Sequence, residues 1–425
     1  MVASATHEAI TAVWRGESAR VVGVLARIVR DVGLAEELAQ DALVAALEEW
    51  PRSGTPERPG AWLMTTAKNR ALNAVRRARM MDRKHEDLAH EAANDPPLEA
   101  IERALETAMD RDVTDDVLRL VFTACHPVLP QEARVALTLR LIGGLSTAEI
   151  ARAFLVAEPT IAQRIVRAKR TLGEAQVPFE VPRDELGARL ASVLEVVYLI
   201  FNEGYSATTG DALTRPALVD EALRLGRLLT ELTLDEPEVL ALVALMELNA
   251  SRMAARSDEN GEPVLLMDQD RARWDGALIA SGLAHLGRIA PGAAPGPYRL
   301  QAEIAACHAR APSAAATDWR RIAALYAELA RQVPSPVIAL NHAMAVSRAD
   351  GPAAGLALLD DLTTHPAAQP ALARYHWLPS ARADLLERLG RIDEARTEYE
   401  RAAALTDNAR QRERLLARAK RCGEH

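Results

Sequence analysis

The stretch Gly144-Leu-Ser-Thr-Ala-Glu-Ile-Ala-Arg-Ala-Phe-Leu-Val-Ala-Glu-Pro-Thr-Ile-Ala-Gln-Arg-Ile-Val-Arg-Ala-Lys-Arg170 reads as two short helices joined by a tight turn. Ser146 followed three residues later by Glu149 is a capping box, in which a hydroxyl and a carboxylate satisfy orphan backbone donors at a helix start. A helix is therefore predicted from about Thr147. Ile150, Ala151 and Phe154 can share one buried stripe, and the pattern breaks around Leu155 to Ala157. Pro159 suits the first turn of the next helix, where a missing N–H costs nothing. In that helix Ile161, Ile165 and Ala168 fall on one face, and Thr160, Gln163, Arg164, Arg167 and Arg170 fall mostly on the other.

A helix that is apolar behind and presents Thr, Gln and Arg in front meets the demands of a DNA major groove. Arg and Gln can make bidentate bonds to base edges, and further cations can hold phosphates. An amphipathic surface helix with solvated arginines shares the same pattern, so the rest of the chain decides.

The chain has 425 residues, enough for about two to four domains. Its aromatic fraction is only 4% while Ala, Leu and Arg abound, which favours helices over sheets. The net charge is -8, but the charges are unevenly placed. Lys68, Arg70, Arg76, Arg77, Arg79, Arg83 and Lys84 stand against Asp82 alone, and the next thirty or so residues are dominated by Asp and Glu. The three cysteines, Cys125, Cys307 and Cys422, form no CxxC pair and fit a reducing compartment. No apolar run approaches the ~20 residues of a membrane span and no signal core opens the chain, so a cytoplasmic protein without membrane contact is expected.

Residues 7–50 predict two or three helices, and Pro51 to Pro59 a loop. Ala61 to Arg79 predicts one helix whose apolar half, led by Trp62, runs into a cationic half. Trp62 there anchors the core, and Lys68 to Arg77 can lie against phosphates or unpaired bases. A short helix around Leu98 to Met109 is expected inside the acidic stretch. Val113 to Cys125 and Gln131 to Ile142 predict amphipathic helices that form a small bundle with the helix-turn-helix.

This order of parts resembles a bacterial RNA polymerase sigma factor of the extracytoplasmic-function class, within the sigma-70 family. The residues that carry the resemblance are Asp31 through Asp41 (DVGLAEELAQD), Pro59 through Arg77 (PGAWLMTTAKNRALNAVRR) and Leu145 through Arg170. The resemblance implies that Asp31, Glu36, Glu37, Gln40 and Asp41 contact core RNA polymerase. It implies that Trp62, Lys68, Asn69, Arg70, Asn73, Arg76 and Arg77 meet the minus-ten element as the strands open. Thr160, Gln163, Arg164, Arg167, Lys169 and Arg170 would read the minus-thirty-five element. Asn73 and Leu155 depart from the Asp and Gly that the family often carries there.

The remainder is also helical by pattern: 186–201, 215–232, a pair at 238–255 and 268–286, and a Pro/Gly/Ala hinge at 291–297. Arg388 to Ala402 resembles the second half of a tetratricopeptide repeat, with Ala395 and Ala402 at a close helix approach and Tyr399 between them. Leu340, Asn341, Met344, Ala353 and Ala357 follow the template more loosely, while Pro379 and Arg382 fall where bulky apolar residues are usual. The whole chain thus resembles the sigma factors with a tetratricopeptide-like C-terminal extension. Two polar clusters, Asn202, Glu203 and Tyr205, then Asp268, Asp270, Arg271 and Trp274, are candidate docking points between extension and front half; Trp274 also suits a core.

No catalytic or metal site is legible, and no cofactor is expected. His85 and His90 are about 140° apart on a helix and cannot share a zinc as an i, i+4 pair does. Cys125-His126 lacks a second ligand pair, and there is no Gly-rich phosphate loop or GxSxG.

The expectation is an all-α, non-enzymatic transcription initiation factor. Residues 1–84 would form the polymerase and minus-ten domain, 85–110 an acidic linker, 111–175 the helix-turn-helix domain, and 176–425 the extension, with a sub-boundary near 290–297. Its partners would be core RNA polymerase and promoter DNA, double-stranded and melted, with a protein or small-molecule signal at the extension. A helical-repeat interaction scaffold with a DNA-silent front half, or an operator-binding regulator, are the alternatives; a scaffold has no use for the basic face of 160–170.

Overall fold

An Ala-, Leu- and Arg-rich chain loses little rotamer freedom in helices, and in the computed structural model every regular element among the described residues is helical. The structure describes residues 2–86, 113–154, 156–179, 185–206, 214–233, 236–259, 264–292, 294–364, 375–406 and 409–423. They fall into two compact units, 1–234 and 235–425. The first boundary therefore lies well inside the stretch expected to be one extension, because the first two helices of that stretch pack with the front half. The expected hinge at 291–297 joins two helices of the second unit.

In the first unit α1 (Val2–Val29) and α2 (Val32–Ser53) form a hairpin. Its turn uses Arg30 at φ 54, and the Asp31 carboxylate caps α2 by accepting from the Leu34 N–H at 2.9 Å. The second helix runs through Pro51, where a loop was expected, and stops at Gly54, whose φ of 85 suits only glycine. α3 (Pro59–Glu86) packs on both, burying Leu63, Ala67 and Ala71 against α1 and α2. The acidic linker from residue 87 onward, with its expected short helix at 98–109, and His90 lie outside the described residues.

Four helices follow: α4 (Val113–Ala124), α5 (Gln131–Leu141), α6 (Thr147–Phe154) and α7 (Glu158–Glu174). α4 crosses α1 closely, since a Cβ on Gly23 would sit 2.9 Å from the Asp116 carbonyl oxygen. α8 (Leu186–Tyr205) and α9 (Pro216–Leu232) form a hairpin whose first helix covers α5. That cover explains why α5 is buried on nearly all sides, from Ala133 through Leu141 except Arg134 and Arg140.

The second unit starts with α10 (Pro237–Ala250), buried without a break from Val239 to Leu248. Helices expected at 238–255 and 268–286 are instead shorter, separated by 3₁₀ turns at 253–255 and 271–273. The reason is local: Asp275 accepts from the Ala277 and Leu278 N–H groups and so starts α11 (Gly276–Arg288) eight residues later than expected. α12 (Pro297–Arg310) is tied to α10 by Glu238, which accepts from the Tyr298 and Arg299 N–H groups at 2.9 and 3.2 Å.

α13 (Trp319–Gln332), α14 (Pro336–Ala349), α15 (Pro352–Thr364), α16 (Trp377–Arg388), α17 (Ile392–Leu405) and α18 (Ala409–Cys422) then stack, each mainly on its chain neighbours, as in a helical repeat. Ala395, Tyr399 and Ala402 are fully buried. In the looser repeat Ala353 and Ala357 are exposed, and the close approach falls at Gly355, where a Cβ would press on Ser347 and the Ala343 carbonyl. Arg382 holds its apolar-type position by bridging Asp360 and Glu398.

Candidate nucleic-acid interface

The capping box forms as read. Ser146 N–H and Oγ both reach the Glu149 carboxylate at 2.8 Å, and Glu149 N–H donates to Ser146 Oγ at 3.2 Å. These bonds and the Arg15 guanidinium outweigh burial and hold the Glu149 carboxyl below its ordinary range. Val156 N–H closes the first helix on the Ala151 carbonyl, and Pro159 sits in the first turn of α7. Leu155 itself lies outside the described residues.

On α7 Ile161, Ile165, Ala168 and Leu172 are buried, and Thr160, Gln163, Arg167 and Arg170 are exposed on one side. Arg164, at the edge of that side, pairs with Glu132 at 2.5 Å. Lys169 departs from the group: it lies about 180° around the helix from Thr160, and its ammonium pairs with the Glu36 carboxylate of α2. Four of the six residues expected here therefore make a continuous open face.

Of the α3 residues expected to meet DNA, Asn69, Asn73 and Arg76 are exposed, one to two turns apart. Arg70 is half-buried and pairs with Asp41 at 3.3 Å. Lys68 is buried, and burial, then Arg27, pull its pKa down. The Arg77 side chain lies outside the described residues. Trp62 packs edge-on to the buried Trp50, ring centroids 5.4 Å apart, which anchors the head of the helix. A cavity of about 600 Å³ opens between α1 and the start of α3, lined by Val13, Glu17, Arg20, Arg58, Met64 and Lys68.

The α2 acids split by environment. Asp31, Glu37 and Asp41 are exposed, and Gln40 is half-buried with its amide on Glu36. Glu36 is only 3% exposed, held by Arg140 Nε at 2.6 Å and by Lys169. Sequence reasoning missed Arg140, Arg27 and Asp116, the last two joined at 3.1 Å. The available signal for Arg140 was a lone cation in the apolar run from Val135 to Ile142, a position that demands a buried partner.

Glu203 receives the Arg215 guanidinium, which also donates to the Ala153 carbonyl of α6 at 2.6 Å. That cluster thus joins the α8–α9 hairpin to the helix-turn-helix, with Tyr205 stacked on Phe201 and the Asn202 carbonyl capped by the Ser206 N–H. Arg271 donates to the His308 and Ala311 carbonyls and lies 4.6 Å over the buried Trp274 ring. Asp270 caps the adjoining turn, and Asp268 is exposed. This second cluster serves the interior of its own unit. Cys125 is buried and its thiol pushed up to about 12 by that burial. Among the described residues no three His, Cys, Asp or Glu converge on a metal position, and no helix is long and apolar enough to cross a membrane.

The two helical bundles that carry these faces match known families. Residues 14–80 match sigma-70 region 2, and residues 119–172 match sigma-70 region 4. Over 157 residues the chain is 31% identical to the ECF RNA polymerase sigma factor SigK of Mycobacterium ulcerans, 36% of this chain and 78% of that protein. The chain belongs to the extracytoplasmic-function RNA polymerase sigma factors. A probable sigma factor of the same class from Mycobacterium tuberculosis, SigI, is 27% identical over 175 residues, 41% of this chain and 58% of that protein. An uncharacterised protein of Rhizobium meliloti is 44% identical over 392 residues, covering 92% of this chain and 90% of its own length, so the extension travels with the sigma part. Residues 189–290 match a family of unknown function, and no solved structure matches. As a sigma factor the protein is a non-enzymatic initiation factor, binding core RNA polymerase and promoter DNA.

Proposed function

We propose that this sigma factor reads a minus-thirty-five element with the open face of α7, engages the minus-ten element with Asn69, Asn73 and Arg76 of α3, and docks on polymerase through the acidic side of α2. The observation that carries the reading is the segregation on α7, where Thr160, Gln163, Arg167 and Arg170 stand exposed over a buried apolar back. Gln and Arg supply base-edge bonds and the outer cations hold phosphates, so strand opening is driven by binding energy without bond chemistry.

The extension regulates or completes this activity. The α8–α9 hairpin supports that role, because its side chains grip the helix-turn-helix bundle: Arg134 pairs with Glu195 at 3.0 Å and Ser192 donates to the Cys125 carbonyl. A signal would enter the second unit, where a groove of about 530 Å³ is lined by Leu265, Asp384, Glu387, Arg414, Arg418 and Cys422.

Run-off transcription on a genomic promoter library tests the reading, comparing core polymerase alone, core with the protein, and core with Gln163→Ala/Arg167→Ala. Transcripts should appear with the intact protein only and fall at least tenfold with the double substitution. Equal transcription by both proteins would remove α7 from promoter reading.

A further inference from the structure

Three seams join the helices of residues 2–86 to those of 113–174. At the first, Glu36 of α2 is buried between Arg140 of α5, at 2.6 Å, and Lys169 of α7. At the second, Arg27 of α1 pairs with the buried Asp116 of α4 at 3.1 Å, beside the close crossing at Gly23. At the third, Arg15 of α1 pairs with Glu149 of α6 at 2.5 Å, and Gly144, at φ +65, lies against Ser18.

We propose that these seams define a closed state in which the region 4 bundle docks on the polymerase-facing side of region 2, with Glu36 as its latch. The proposal rests on the reading of α2 and α7 given above. A carboxylate with 3% exposure cannot serve a partner's surface, and Lys169 cannot reach a phosphate while it neutralises Glu36. One ion pair therefore withdraws a residue from each of the two interfaces at once. Opening it strands three charged groups, a cost that polymerase and DNA must offset by giving each a new partner. Binding affinity is then lowered by the fraction of molecules that are open. The extension sets the latch from behind: Arg224 of α9 donates to the Ile142 carbonyl at 3.0 Å, two residues beyond Arg140, and Arg140 Nη1 is further fixed on the Leu145 carbonyl. Movement of the α8–α9 hairpin would shift the end of α5 and with it the latch.

The seam offers its own lock. A Cβ at Gly33 lies 4.0 Å from Lys169 Cβ, inside the range that a disulfide spans. In the full-length chain carrying Cys307→Ser and Cys422→Ser, the pair Gly33→Cys/Lys169→Cys should cross-link under a mild oxidant. Binding to core RNA polymerase from the same bacterium is then compared for the same protein oxidised and reduced. The oxidised form should bind at least tenfold more weakly, with recovery on adding dithiothreitol. Failure to cross-link, or equal affinity in both forms, would overturn the closed state or its blocking role. A separate full-length Arg140→Gln variant should bind core polymerase several-fold more tightly than wild type, and unchanged or weaker binding counts against the latch. If the cross-link forms but wild type, the reduced pair and Arg140→Gln all leave core polymerase unbound, the polymerase reading of α2 fails and the latch falls with it.

Discussion

The two units are held together by opposite means. In the first, charged side chains reach between helices remote in sequence: Arg15 to Glu149, Arg27 to Asp116, Arg140 to Glu36 and Arg134 to Glu195. In the second, each bridge joins near neighbours in the stack, as Arg382 joins Asp360 to Glu398 and Arg418 joins Asp384 to Glu387. A solenoid loses a helix by losing its neighbours, whereas a unit made of docked bundles can part along a seam with each bundle intact. The difference teaches where motion is available: between bundles in the first unit, and along the stack in the second.

The sharpest way to break this comparison is to cut the chain after Gln176. If α8 were a passive appendage, the front bundles would keep their stability. Instead its removal should uncover α5 and delete the bonds from Arg134 and Gln131 to Glu195 and from Ser192 to the Cys125 carbonyl. Exposing two or three buried side chains at about 1.5–3 kcal/mol each predicts a loss of about 5 kcal/mol for the 113–174 bundle. Urea unfolding followed by circular dichroism measures it, and an unchanged midpoint for 1–176 would show that the docking is decorative.

This contact also marks where sequence reading stopped. The helices, the capping box, the buried stripe of α7 and the fully buried Ala395, Tyr399 and Ala402 were legible because each depends on residues within a few turns. What the notion of one extension from residue 176 missed is that 186–232 belongs with the front unit, which depends on docking between segments more than fifty residues apart. For the same reason Glu36 was expected to face polymerase and Lys169 to face DNA, although they are each other's partners. Spacing gives the face a residue occupies on its own helix; it does not say which other helix arrives there. The misplaced Ala353 and Ala357 have a different cause, since Ala and Gly are both small enough for a close crossing and only the register chose Gly355.

The second unit answers to core packing. Tyr399 is fully buried, donates to Glu387 Oε2 at 2.7 Å and lies under the Arg418 guanidinium. Tyr399→Ala removes a large side chain and a shared polar partner, so a loss of about 4 kcal/mol is expected, confined to that unit. Calorimetry should show one transition shifted and the other in place; a shift of both would mean that the two units unfold as one.

A pH scan separates the units further. His308 is buried against the Trp319 ring, with Arg252 and Arg271 nearby, and burial followed by those two cations lowers its pKa to about 4. Its folded value is depressed below the unfolded 6.5, so the unfolded chain takes up the proton first. Stability from the neutral ring is present above about pH 6.5 and is lost as pH falls toward 4, by about 3 kcal/mol. His308→Asn should flatten that slope in the second unit's unfolding free energy, and a slope equal to wild type would assign the acid sensitivity elsewhere.

The smallest effect is the most telling about the seams. Arg15 is 48% exposed, so its bridge to Glu149 is open to water and salt; Arg15→Ala should cost about 0.5 kcal/mol and less in 1 M salt. Glu36→Gln keeps the shape and one acceptor for Arg140, which also retains the Leu145 carbonyl, but strips the counter-charge from Lys169. It should cost about 1–2 kcal/mol, and because the carboxylate is shielded from solvent the cost should be nearly the same at low and high salt. Urea midpoints of the two variants at two salt concentrations decide the matter. If the Glu36 penalty vanished with salt, as the Arg15 penalty should, the two sites would be equally wet, and the first unit would be held by its close helix crossings at Gly23 and Gly144 with no charged latch.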